Sequence, residues 1–252
     1  MEDRYSRVDY RRLVAWPQRI DREWPFLQRV LGTGGRVLDL GSGTGEHSRF
    51  LASKGFDVIG IDSSPTMIEK AMDTPLPANL RFIEGDIADV GSLVDGTFDG
   101  AICLGNTLPH LTERGTIEQL VSGLRRRLRP GAAWLLQVLN YDRVFEKGQR
   151  FLPLNFREDD AERGAETVFL RLMTPRADGT VVFTPSTLRY RPDAEPPLEV
   201  VSTRSVYLHG WRRAELEEIL AAGGFSNRTV FGTVGDAPFV PTESNDTVIV
   251  AR

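Results

Sequence analysis

One ten-residue stretch constrains the fold more than any other: Val37-Leu-Asp-Leu-Gly41-Ser-Gly43-Thr-Gly45-Glu46. A short apolar run starting at Arg36 stops at glycines, and a helix-compatible segment, Glu46 to Ser53, follows. Glycines between a strand and a helix let the backbone turn tightly and pass close to a ligand. The same alternation continues along the chain. Strands are expected at Asp57–Ile61, Leu80–Glu84, Phe98–Leu104 and Ala132–Leu139, with helices at Pro65–Met72 and Thr116–Leu128 between them. Ser63 or Ser64 is placed to cap the helix that Pro65 opens. Strands apolar on both faces, alternating with helices, predict a parallel sheet covered on both sides.

The alternation lapses at both ends of this block. Before it, Val14, Trp16, Ile20, Trp24, Phe26, Leu27, Val30 and Leu31 recur at helical spacing and predict an arm over residues 5–31, broken by Pro17 and Pro25. After Tyr141 no helix is expected until Arg212. Glu166–Met173, Thr180–Tyr190 and Leu198–Leu208 read as longer strands, with Asp178-Gly179 as a turn. Order then returns with a helix at Arg212–Ala222 and strands at Arg228–Gly232 and Thr247–Ala251. The expected division is therefore a helical arm (1–34), a doubly covered α/β sheet (35–141 and 209–252) and an inserted antiparallel lid (142–208). The 252 residues suit one such unit with additions rather than two independent domains.

Charge and composition exclude several classes. With 31 basic and 35 acidic residues the net charge is −4, the wrong sign for a generic nucleic-acid or anionic-membrane binder. The Arg125–Arg127 run sits at a helix C-terminus, where cations offset the helix dipole. A lone cysteine, Cys103, excludes an internal disulfide, and three histidines without ligand spacing argue against a metal. The charged start and the absence of a long apolar run predict a protein of the cytoplasm, acting on a small molecule as a monomer or homodimer.

The strand tips carry the chemistry. Gly41, Gly43 and Gly45 form G-x-G-x-G rather than the G-x-G-x-x-G of dinucleotide binders, and the acid Asp39 precedes them. A carboxylate there suits an ammonium group, reached through water or a backbone amide, better than a phosphate. Asp62 at the second strand tip, followed by Ser63, is placed to accept ribose hydroxyls. Asp86 at the third tip is placed to meet an adenine amino group, with Ile87 packing on the ring. Taken together, residues 36–139 resemble a class I S-adenosylmethionine-dependent methyltransferase. The D-x-G-x-G-x-G run at Asp39–Gly45, the acid Asp62, Gly85-Asp86-Ile87, Phe98-Asp99 and Leu128-Arg-Pro-Gly131 carry the resemblance. It implies a Rossmann-like seven-stranded sheet, mostly parallel with the last strand antiparallel. It also implies S-adenosylmethionine as cofactor, S-adenosylhomocysteine as product and no metal. Gly41, Gly43 and Gly45 would then line the amino-acid end of the cofactor, Asp62 the ribose, and Met67 with Asp86 and Ile87 the adenine.

A narrower likeness lies at Ile102-Cys-Leu-Gly105-Asn106-Thr107-Leu108-Pro109-His110-Leu111, which is similar to a segment of glycine and sarcosine N-methyltransferases. It implies that Leu104 and Asn106 border the cofactor, that Asn106, Thr107 and His110 border the acceptor, and that Tyr10, Trp16 and Arg19 of the arm cap the methionine end. One position departs. Leu139 stands where that group carries the arginine that holds a substrate carboxylate, and a leucine cannot pair with one. Asn140 beside it, and Arg171, Arg189 or Arg204 from the insertion, are the candidate substitutes. His110, Tyr141 and Tyr207, with Asn106 orienting, are the candidate catalytic groups. The expected reaction is in-line methyl transfer to a small amine. Alternatives are a hydroxyl acceptor, a nicotinamide-dependent oxidoreductase, which the glycine spacing disfavours, and a cofactor-binding regulator without turnover.

Overall fold

The structure is a computed structural model that describes residues 14, 16–159, 162 and 164–252. In chain order the main elements are α1 (Trp16–Leu31), β1 (Gly35–Leu40), α2 (Glu46–Ser53), β2 (Phe56–Asp62), α3 (Pro65–Ala71), β3 (Leu80–Glu84), α4 (Val90–Leu93), β4 (Phe98–Cys103), α5 (Arg114–Arg127) and β5 (Leu128–Leu139). Then follow α6 (Tyr141–Glu146), β6 (Asn155–Glu158), β7 (Glu166–Pro175), β8 (Thr180–Tyr190), β9 (Leu198–Thr203), β10 (Val206–His209), α7 (Arg213–Ala222), β11 (Arg228–Phe231) and β12 (Asp246–Ala251).

Seven strands form one sheet in the order β11-β12-β5-β4-β1-β2-β3. All its pairings are parallel except those of β12, which runs antiparallel to both β5 and β11. Alternate side chains point to opposite faces, as strand geometry requires. Leu38, Leu40, Ile59 and Leu136 pack against α5 and α7, while Val37, Val58, Leu135 and Val250 pack against α1 and α2. The strand order reverses beside β1, between β2 and β4. Open α/β sheets bind ligands at that switch point, beyond the carboxyl ends of the strands.

The expected elements recur with informative differences. The helix over the arm is continuous through Pro25 rather than broken there. An internal proline costs about 3 kcal/mol. Ile20, Phe26, Leu27 and Leu31 are all buried, each contributing roughly 1.5–3 kcal/mol, and so outweigh it. Pro130-Gly131 does not close α5. The backbone is already extended at Leu128, which pairs with Phe98, and Pro130 itself disfavours a helical Arg129. A short helix, α6, follows β5, where none was expected. Asn140 caps it by accepting from Arg143 N at 3.3 Å.

The second sheet has the order β10-β8-β7-β6, with β9 also on β8. The last of the three strands expected there, one run over Leu198–Leu208, is two. β9 pairs with the second half of β8 and β10 with the first half. Pro185 sits in β8 at the break and has no N–H for the ladder. The short β6 was also not expected. Among the described residues no helix is long and apolar enough to cross a membrane.

Candidate active site

Loops after β1, β2, β3 and β4 enclose a cavity of about 520 Å³. The first loop is held down by backbone bonds, since Gly41 N and Ser42 N both donate to Ile61 O. Gly41 and Gly43 both have positive φ, +74° and +55°, which glycine adopts without strain. They differ in surroundings. A Cβ on Gly41 would run into the side chain of Thr107, whereas a Cβ on Gly43 would meet no atom within 4 Å. Gly43 therefore leaves open a cradle that a side chain would fill. Gly45 precedes Glu46, where α2 begins.

Four carboxylates face this cavity: Asp39, Glu46, Asp62 and Asp86. Asp62 ties two loops together, accepting from Gly43 N at 2.8 Å and Ser64 N at 2.9 Å. A carboxylate has about four lone-pair sites, so hydroxyls can still bind there. Asp86 accepts from Ala88 N at 2.9 Å, which fixes its orientation. Asp39 is buried and accepts from Ser48 Oγ at 2.6 Å. Burial pushes its carboxyl above the usual range, against the opposing pull of His47 and Ser48. Ser63, Met67, Ile87 and Leu104 complete the walls.

Helix α1 supplies the remaining side. Trp16 and Arg19 line the cavity, with the Arg19 guanidinium 5.2 Å from the Trp16 ring centroid. Arg19 also pairs with Glu23 at 2.8 Å, and the second Glu23 oxygen accepts from His47 Nε2 at 2.8 Å. Burial pushes Glu23 up, but its hydrogen bond with His47 and the Arg19 charge together hold it below the usual carboxylate range. His47 is thus a buried link between α1 and the first turn of α2. Tyr10 lies outside the described residues.

A second, larger cavity of about 1110 Å³ lies between the seven-stranded sheet and the second sheet. Arg19, Gly105, Asn106 and His110 line both cavities. Asn106 marks the border. It is the one non-glycine residue with positive φ (66°) among the described residues. Its Oδ1 accepts from Leu139 N at 2.9 Å, and its Nδ2 donates to Tyr141 Oη at 3.1 Å. Asparagine tolerates this conformation better than most residues. Thr107 donates to Leu104 O at 3.0 Å and faces the first cavity. Leu139, Phe169, Arg171, Phe183 and Arg204 line the second.

Four expected site residues, Tyr207, Asn140, Arg189 and Tyr141, line neither cavity. Tyr207 is 60% exposed and stacks under Arg176, because Val206 and Leu208 on either side of it point inward. Asn140 is buried and its amide is spent, with Nδ2 donating to Pro241 O and Ser244 O. Arg189 pairs with Asp159 at 2.9 Å and with Glu199. Tyr141 sits behind Asn106, fully buried, and burial pushes its phenol up. It supports Asn106 rather than facing either cavity. Conversely, Gln137 and Asp246 line the second cavity without having been singled out, because each reads as an ordinary position in or beside an apolar strand.

These residues fit S-adenosylmethionine. The carboxylate-rich lining suits a cationic, hydroxyl-bearing molecule and would repel the pyrophosphate of a dinucleotide. The cradle at Gly43 is open, and Trp16 Nε1 and Ser42 Oγ are buried without a hydrogen-bond partner among the described residues. Metal ligation has no such basis among the described residues, where no group of three or more His, Cys, Asp or Glu is arranged to hold an ion.

Residues 37–131 match the family model described as "Methyltransferase domain". A glycine/sarcosine N-methyltransferase of Parasynechococcus marenigrum (strain WH8102) is 34% identical over 152 residues, covering 59% of this chain and 53% of the relative. The chain spans about half the length of this and other curated relatives it matches. In fold, it is similar to the CcbJ methyltransferase of Streptomyces caelestis, with a TM-score of 0.68 and 21% identity over 92% of this chain and 89% of that one. It is likewise similar to the S-adenosylmethionine-bound amino pentose methyltransferase CalS10 of Micromonospora echinaspora, with a TM-score of 0.67 and 18% identity over 95% and 92%. The matched stretch, residues 37–131, contains the glycine cradle and the strand-tip carboxylates Asp39, Asp62 and Asp86, and the solved structures share the fold over nine-tenths of the chain.

Proposed function

We propose that the chain transfers a methyl group from S-adenosylmethionine to a nitrogen of a small-molecule amine. The carrying observation is the shared wall: two cavities of different character meet at Gly105, Asn106 and His110. The name of one relative, a glycine/sarcosine N-methyltransferase, supports nitrogen as the acceptor atom.

When bound, the cofactor supplies an activated methyl on a sulfonium, so the chain needs no covalent catalysis of its own. Trp16 and Arg19 would hold the amino-acid end, with Arg19 as a charge-assisted donor to its carboxylate. Asp62 would accept from the ribose, Met67 and Ile87 would border the adenine, and Asp86 would accept from its amino group. The acceptor enters from the second cavity, which the lid segment 142–208 roofs with Phe169 and Phe183. That apolar roof excludes water and keeps the approach in line. Asn106, clamped by Leu139 N and Tyr141, presents a fixed edge to the acceptor. His110 is the one histidine that lines both cavities among the described residues, and it receives the proton that the amine gives up.

S-adenosylhomocysteine release, measured over a panel of amines and their hydroxyl isosteres, tests this reading. Release with amines and not with the isosteres is expected. Release with hydroxyl compounds alone would reassign the acceptor to oxygen, and no release with any compound contradicts methyl transfer.

A further inference from the structure

The second cavity carries a carboxylate that the proposed reaction does not use. Asp246 opens β12 and stands opposite Leu139 in the ladder, and both side chains line the cavity. Its Oδ1 accepts from Gln137 Nε2 at 2.8 Å. Gln137 is buried, and its other amide atom, Oε1, accepts from Gly105 N at 2.7 Å. A backbone N–H can only donate, so Gln137 must present its NH₂ group to Asp246. Asp246 is thereby tied, through one buried amide, to the Gly105–Asn106 turn that separates the two cavities. Among the described residues, Oδ2 makes no hydrogen bond and Asp246 no ion pair.

The lining offers one other acid, Glu23, and that one is already shared between Arg19 and His47. The remaining charged groups of the lining are Arg19 and Arg22 on α1, Arg171 on β7 and Arg204 in the link between β9 and β10. Arg19 is neutralised by Glu23, and Arg171 donates to Pro153 O at 2.7 Å. Gln137 is neutral and leaves the Asp246 charge standing. Burial raises the Asp246 carboxyl above the usual range, against the opposing pull of Gln137, Arg19 and Arg22. An arriving cation would reverse that penalty.

We propose that Asp246, oriented by Gln137, is the counter-ion for an ammonium group of the acceptor, and that the acceptor carries this group on an apolar body that fills the space beneath Phe169 and Phe183. The cavity volume of about 1110 Å³ lies just above the usual range of small-molecule sites, roughly 300–1,000 Å³. Glycine would leave it almost empty. This assignment rests on the second cavity being the acceptor site. It sets specificity at the step of binding, and involves no bond made or broken by Asp246.

The test is calorimetric titration of benzylamine and of its neutral isostere benzyl alcohol at neutral pH, with and without saturating S-adenosylhomocysteine. Wild type should bind benzylamine at least roughly tenfold more tightly than benzyl alcohol, the range of a hydrogen bond to a charged group. Asp246→Asn should abolish that preference, leave benzyl alcohol unchanged and leave S-adenosylhomocysteine binding unchanged. Equal binding of amine and alcohol by wild type overturns the proposal, and needs no variant to fold. So does an Asp246→Asn protein that keeps the preference. Failure of S-adenosylhomocysteine to bind is a separate result, and refutes the methyltransferase reading instead.

Discussion

The glycine loop gives the sharpest quantitative expectation, because two of its positions share a backbone conformation and differ in surroundings. Replacing Gly43 by alanine puts an L-residue at φ +55°, which costs about 1–2 kcal/mol. Loss of the glycine's freedom in the unfolded chain returns about 0.4–1 kcal/mol. The net cost is about 1 kcal/mol, a fall in Tm of roughly 2–4 °C for a chain of this size. The new methyl strikes nothing in the protein and points into the first cavity. A ligand lying there must yield to it at an overpacking cost of about 1–3 kcal/mol. S-adenosylhomocysteine affinity should fall by about tenfold or more. Gly41→Ala pays the same backbone cost, but its methyl drives into Thr107, which is itself held on Leu104 O. That variant should lose about 2–4 kcal/mol of stability. Thermal unfolding and calorimetric titration separate the two. A Gly43→Ala protein that binds S-adenosylhomocysteine like wild type refutes the placement of the cofactor on this loop. One that unfolds as readily as Gly41→Ala refutes the claim that the space over Gly43 is open.

Other perturbations follow from the same geometry. Glu23 has a folded pKa below its ordinary value. Its contribution to stability is therefore full above the unfolded value near 4.5 and is lost as pH falls through the lower, folded value. Glu23→Gln should lower Tm at pH 7 and narrow the gap to wild type below about pH 4.5; a gap independent of pH contradicts the ion-pair account. Asn106→Ala removes the bonds to Leu139 N and Tyr141 and leaves a strained φ of 66°. Turnover should fall by at least roughly tenfold, with S-adenosylhomocysteine affinity changed much less, and the reverse pattern would move Asn106 to the cofactor.

Much of the fold and of the first cavity is legible in the sequence, because local rules decide them. The glycine spacing, the acids at strand tips and the proline-led helix after Ser64 each depend on a few neighbouring residues. Asp39, Asp62, Asp86, Met67 and Ile87 all line one cavity as the strand-tip pattern requires. What was not legible depends on long-range packing. Pro25 reads as a helix breaker, but four buried side chains hold α1 through it. Tyr207 reads as a lid residue facing the site. The alternation between Val206 and Leu208 turns it outward, and its neighbours' burial is set by the opposing sheet. Asn140 reads as a substrate contact beside Leu139, but the chain between β11 and β12 consumes its amide. Asp246 and Gln137 are 109 residues apart, and only the antiparallel pairing of β12 with β5 brings them together. The departure at Leu139 was visible in the sequence. The acid standing opposite it in the ladder was not.

The central claim is that the cavity at the tips of β1 to β4 holds S-adenosylmethionine with its ribose on Asp62. Calorimetric titration of S-adenosylhomocysteine into wild type and Asp62→Ala tests it most directly. Wild type should bind one equivalent. Asp62→Ala, which loses a charged acceptor and the tie to Gly43 N, should bind at least roughly tenfold more weakly. Absence of binding to wild type, or equal binding by both proteins, would contradict the account.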